Sequence, residues 1–161
     1  MLNEIKIKKT CCFIGNRKTA ETEALRKNLF EIIENLIVEK EVTTFLFGSK
    51  SRFDDICYDI VDDLKQKHVH IERIFVRAEF PYISEDYRNR LLQFYEDTYY
   101  PKSVIGANRA VYVKRNYEMI DKSDYCVIYY NEKIAPTTRK SGAKIALDYA
   151  IKRKKEIFIL S

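Results

Sequence analysis

Short apolar runs alternate with longer segments in which apolar residues return every three or four positions. Residues 9–14 (KTCCFI) form the first run and end at Gly15. Over 20–40, Leu25, Leu29, Ile32, Ile33, Leu36 and Ile37 share one helical face. Thr19 is placed to cap that helix, with Glu21 and Glu23 in its first turn. A second strand, 43–47 (TTFLF), ends at Gly48. Phe53, Ile56, Cys57, Ile60, Val61 and Leu64 then mark the next helix, which Ser51 and Asp54 open in the manner of a capping box.

The third strand is 71–76 (IERIFV). The stretch 77–115 that follows does not read as a simple crossover. It begins near Phe80-Pro81-Tyr82, includes a helix-like segment 85–97, and turns at Thr98-Tyr99-Tyr100-Pro101. A helix near 113–121 leads to strand 125–130 (YCVIYY), and a polar loop covers 131–140. The last helix sets Ala143, Ala146, Leu147, Ala150 and Ile151 on one face, before strand 156–160 (EIFIL). Strands apolar on both faces, separated by amphipathic helices, predict a mainly parallel five-stranded sheet covered on both sides. Residues 1–161 read as one α/β domain, with an insert over about 77–115 after the third strand.

Composition narrows the class. Apolar residues at 46% and charged residues at 33% describe a globular chain. No apolar run approaches the roughly 18 residues of a membrane span, and the N-terminus lacks a secretory apolar stretch, so a cytoplasmic protein is expected. The net charge of +5 is spread along the chain and selects no partner. Cys11, Cys12, Cys57 and Cys126 form no C-x-x-C pair and read as buried thiols in a reducing compartment. His68 and His70 have no further ligands at zinc spacing and read as surface residues flanking a strand start. No metal or cofactor is predicted.

Ligands of open α/β sheets bind beyond the carboxyl ends of the strands, where the strand order reverses. That rule selects Gly15, Asn16, Arg17 and Lys18 after the first strand, and Gly48, Ser49, Lys50, Ser51 and Arg52 after the second. After strand 125–130 it selects Asn131, Glu132 and the segment Thr137, Thr138, Arg139, Lys140, Ser141, Gly142. Backbone N–H groups at helix starts, hydroxyls, amides and cations suit a phosphate or another anion. Gly15 and Gly48 read equally as tight turns. Ser51 and Asp54 read as a cap before catalysts, and the insert's tyrosines as packing before a lid in which Phe80, Tyr82, Tyr99 and Tyr100 stack on a purine. Neither G-x-x-x-x-G-K-[ST] nor G-x-G-x-x-G is present.

The segments CCFIGNRK (11–18), FLFGSKSRFDDIC (45–57) and KRNYEMIDKSDYCVIYY…KSGAKIALDYAIKRKKEIFIL (114–160) resemble the YpsA-like branch of the SLOG superfamily. The resemblance implies a Rossmann-like three-layer sandwich that binds nucleotides or nucleotide-derived ligands. It covers most of the chain apart from the insert. Related families include the Lonely Guy phosphoribohydrolases and the DNA-processing protein A recombination mediators. Carried over by motif, the ligand contacts would be Gly15, Arg17, Gly48, Ser49, Arg115, Asn116, Ser141 and Gly142, with Arg17 and Arg115 neutralising phosphate. Asn16 and Asn131 would read ribose or base edges.

Two departures shape the expectation. The family turn Ser-Gly-Gly-Thr here reads Ser141-Gly142-Ala143-Lys144. The hydrolase motif P-G-G-x-G-T-x-x-E would set its Glu at Leu147. The reading is therefore a module that binds a nucleotide-like small molecule without turnover, as a homo-oligomer or with a separate effector chain. A hydrolase of N-glycosidic or phosphate bonds is the alternative, for which Glu132, Asp54 and Glu118 are the nearby carboxylates. A single-stranded nucleic-acid binder using Lys144, Lys152, Arg153, Lys154 and Lys155 is a further one. No membrane partner is expected.

Overall fold

The computed structural model describes residues 8–134 and 140–161. Six strands form one sheet in the order β4-β3-β2-β1-β5-β6, and every pairing is parallel. The strands are β1 (Lys9–Gly15), β2 (Val42–Phe47), β3 (Glu72–Val76), β4 (Asp97–Tyr99), β5 (Tyr125–Tyr129) and β6 (Glu156–Leu160). The helices are α1 (Glu23–Val38), α2 (Arg52–Lys65), α3 (Glu85–Leu91), α4 (Val111–Asp121) and α5 (Gly142–Lys152). The architecture is α/β and broadly Rossmann-like. No helix is long and apolar enough to cross a membrane among the described residues.

Period-2 alternation along the strands divides the core into two layers. Cys11, Phe13, Phe45, Phe47 and Val127 face the α1 and α2 side, where Leu29, Ile33, Phe53, Ile56 and Cys57 meet them. Cys12, Ile14, Leu46, Cys126 and Ile128 face the other side, with Met119 and Ile120 of α4 and Ala146, Leu147 and Ala150 of α5. The four thiols are free and buried, two in each layer.

Three expectations need correction. The sheet has six strands rather than five, because the segment taken as the end of a helix and a tyrosine-rich turn supplies β4. Helix α3 stops at Leu91, and Asp97–Tyr99 pair with Ile74–Val76 of β3. The side chains explain the switch: Glu96 bonds the backbone N–H and Nε of Arg73, and the buried Thr98 hydroxyl donates to the Phe75 carbonyl at 2.8 Å. The cap of α1 is Thr22, whose Oγ1 accepts from the Leu25 N–H at 3.1 Å, rather than Thr19. Ile151 is exposed rather than part of the buried face of α5.

Candidate functional site at the carboxyl ends of the strands

Strand β1 lies between β2 and β5, so the chains leaving β1 and β5 depart in opposite directions. This is the point of strand-order reversal at which open α/β sheets hold ligands. The register runs to Gly15 beside Tyr129, and the Asn16 N–H extends it by donating to the Tyr129 carbonyl at 3.2 Å. The buried Asn16 amide then joins three segments. Its Oδ1 accepts from the Asn131 N–H at 2.8 Å, and its Nδ2 donates to Ser141 Oγ at 3.4 Å. Asn131 closes its own turn, with Oδ1 accepting from the Lys133 N–H at 3.0 Å. Tyr129, fully buried and stacked on Phe53, accepts at its hydroxyl from the Ala20 N–H at 2.9 Å.

Asn16, Asn131 and Ser141 are therefore brought together, and bonds within the protein occupy their amides and hydroxyl. Ser141 caps α5 by accepting from the Lys144 N–H at 3.1 Å. The N–H groups of Gly142 and Ala143 precede that capped position and have no acceptor among the described residues. A Cβ built on Gly142 would meet nothing within 4 Å among the described residues. Arg17 is exposed and pairs with no carboxylate among the described residues. Lys144 bends back to Asp148 at 3.1 Å. Thr137, Thr138 and Arg139 lie outside the described residues.

The loop after β2 is built differently. Ser51 caps α2 by accepting from the Asp54 N–H at 3.1 Å. Asp54 reaches back, and its Oδ2 accepts from the N–H groups of Ser49, at 3.0 Å, and Gly48, at 3.3 Å. These two donors, expected to meet a ligand, already hold a carboxyl group of the protein. Asp54 is only 3% exposed, and its Oδ1 has no partner among the described residues. Burial pushes its pKa up to about 7, against the bonds from Ser49 and Gly48 and the nearby Arg115 charge.

Arg115, expected to neutralise a ligand phosphate, is buried and bonded within the protein. Its guanidinium donates to the Gly48 carbonyl, and its Nε donates to Asn116 Oδ1 at 3.1 Å. Burial lowers its pKa, with Asp54 and Glu79 acting in the opposite direction. A Cβ on Gly48 would come within 2.7 Å of Arg115 Cδ and Met119 Sδ. A Cβ on Gly15 would come within 2.6 Å of the Phe53 ring. Close packing inside the protein thus accounts for both glycines.

Leu147 is buried in the α4–α5 layer. Glu118 is tied to Lys122 at 3.3 Å and accepts from the Tyr99 hydroxyl at 3.5 Å, while Glu132 is exposed. Tyr99 therefore ties β4 to α4, whereas Phe80 and Tyr82 are exposed. Among the described residues no three metal-ligating side chains cluster. The sequence reading passed over Arg77, treating it only as the start of the insert. It is a buried guanidinium directly after β3, and a cation abutting the carboxyl end of an apolar strand was the available signal. No family model matches the chain, and a search among curated proteins returns no match.

Proposed function

We propose that the chain is a cytoplasmic module that binds a nucleotide or nucleotide-derived anion in the crevice between the β1–α1 and β5–α5 connections, without turning it over. The observation that carries this reading is the start of α5. There, the N–H groups of Gly142 and Ala143 have no acceptor among the described residues, a Cβ at Gly142 would meet none of them, and the helix dipole favours negative charge. Arg17 supplies an exposed cation on the adjoining connection. The resemblance to the YpsA-like branch of the SLOG superfamily supports the same ligand class and the same two segments.

Binding rather than turnover follows from the carboxylates. Asp54 is bound to its own loop, Glu118 is paired, and Leu147 stands where the hydrolases carry Glu. Calorimetric titration with a panel of nucleoside mono- and diphosphates tests the reading. Arg17→Ala is expected to weaken binding of the best ligand at least about tenfold, as loss of a charge-assisted bond does, with the melting temperature unchanged. Equal affinity in that variant rejects the crevice, and release of free base from a monophosphate restores the hydrolase alternative.

A further inference from the structure

The two edges of the sheet are finished differently. At one edge β4 has three residues, follows Glu96, opens with the exposed Asp97 and is stopped by Pro101. A short strand, charges and a proline are the means by which sheets keep an edge from pairing. At the other edge β6 has five residues, and after Glu156 all of them are apolar: Ile157, Phe158, Ile159 and Leu160. No strand pairs with its outer side among the described residues.

The ladder shows which backbone groups are free there. The Leu160 carbonyl accepts from the Tyr130 N–H at 2.9 Å, so Leu160 turns its N–H and C=O toward β5. Alternation gives Phe158 the same direction and leaves the N–H and C=O of Ile157 and Ile159 pointing outward. Side chains alternate as well. Phe158 and Leu160 pack half-buried on the α1 side, and Ile157 on the α4 and α5 side. Ile159 is 58% exposed. Phe158 and Leu160 line a groove whose other wall is the α1 stripe Asn28, Glu31, Ile32 and Asn35.

Free edge groups of this kind are satisfied by another extended strand. Charge sets the direction of that strand. Lys152, Arg153, Lys154 and Lys155 run directly into β6, so its start is strongly basic and its body apolar. Turned end for end, the same strand is complementary to itself: the apolar stretches meet and the basic runs lie at opposite ends. A parallel neighbour would set the two basic runs side by side. We propose that β6 pairs antiparallel with β6 of a second copy of this chain, across a twofold axis at Ile159, joining two six-stranded sheets into one. In this register Ile159 exchanges backbone bonds with its counterpart, and Ile157 meets Ser161. Phe158 of each copy faces Leu160 of the other, and Glu156 lies beyond the paired residues. Centring on Phe158 would instead set the Glu156 carboxylate against Leu160. A twofold contact uses the same surface on both copies and is complete at two. The seam takes no residue from the β1/β5 crevice and does not depend on its ligand.

Sedimentation equilibrium of the full chain over about 1–500 µM tests this, a range that registers even a weak dimer. The expected mass rises with concentration toward twice the 19.2 kDa of one chain. Ile159→Lys sets like charges face to face on the axis while leaving the bonds to β5 in place. It is expected to raise the dimer Kd at least about tenfold. Val69→Lys, at an apolar residue 77% exposed before β3, is expected to leave the Kd unchanged. A chain that stays at 19.2 kDa throughout overturns the seam, and growth beyond two copies overturns the closed twofold. An undiminished dimer in Ile159→Lys, or an equal loss in Val69→Lys, overturns the assignment to β6. If Ile159→Lys fails to fold, Ile159→Cys decides. A short bifunctional maleimide is expected to join two copies through that thiol, since the native four are buried, and to leave Val69→Cys single. Absence of the joined species, or equal joining in Val69→Cys, overturns the proposal.

Discussion

The connection after β2 and the connection into α5 share a plan: each ends with a serine that caps a helix at the carboxyl rim of the sheet. They differ in what the residue at the third helical position does. After β2, Asp54 turns back onto the Gly48 and Ser49 N–H groups, and Arg115 covers the Gly48 carbonyl. At α5 the third helical residue is Lys144, which bends away to Asp148 at 3.1 Å. One carboxyl group at the third position of a helix thus closes the strand-end N–H groups of Gly48 and Ser49, whereas the first-turn N–H groups of both helices, at Arg52 and Phe53 and at Gly142 and Ala143, have no acceptor among the described residues. Gly48 packs against Arg115 and Met119, while a Cβ at Gly142 would meet none of the described residues.

The largest expected effect tests the closed loop through pH. Asp54 has a folded-state pKa of about 7 against an ordinary value of 3.8, so the folded chain binds more protons than the unfolded chain between those values. Its contribution to stability is therefore highest below about pH 4 and falls as pH rises toward 7. Asp54→Asn should remove roughly 3–4 kcal/mol of this pH dependence between pH 4 and 8, measured by urea unfolding across the range. Parallel stability curves for the two proteins would mean that the carboxyl group is not closed in as described.

Gly48→Ala comes next. The added Cβ would press on Arg115 Cδ and Met119 Sδ, and a loss of about 2–3 kcal/mol is expected in the same unfolding experiment. The smallest change is the most informative about access. Gly142→Ala adds its methyl group to open space at the first position of α5, so stability should stay within about 0.5 kcal/mol or rise slightly. Ligand affinity should nonetheless fall, because the methyl group stands where the anion would approach the N–H groups. If Gly142→Ala destabilised the fold as much as Gly48→Ala, the contrast between the two loops would collapse.

Most of the scaffold was legible because a parallel sheet covered on both faces writes itself as apolar runs between helical periodicities. The clean face of α2, from Phe53 to Leu64, and its Ser51 cap appear in the structure as read. Strand β4 was hidden because it has three residues at a sheet edge with Thr98 alone deeply buried, while Phe94 and Tyr95 continue the spacing of a helix. The roles of the rim residues were harder to read. A glycine that admits the Phe53 ring, as Gly15 does, and one clear of the described residues, as Gly142 is, look identical in sequence. So do an arginine held on a carbonyl, as Arg115 is, and one facing solvent, as Arg17 is. Arg77 was missed for a related reason: only burial distinguishes it from the many surface cations of this basic chain.

The four cysteines have a practical consequence. Each thiol is fully enclosed, and burial pushes those of Cys11 and Cys57 well above the ordinary range. For Cys12 the hydrogen bond shared with Cys126 is the larger cause of a similar rise. Native protein should thus react with an alkylating reagent only during an opening event, and labelling becomes a clock for such events. Cys11 and Cys57 time the side of the sheet under α1 and α2, and Cys12 and Cys126 time the side under α4 and α5. Mass spectrometry of partly labelled chains would show whether the two layers come apart together or one before the other.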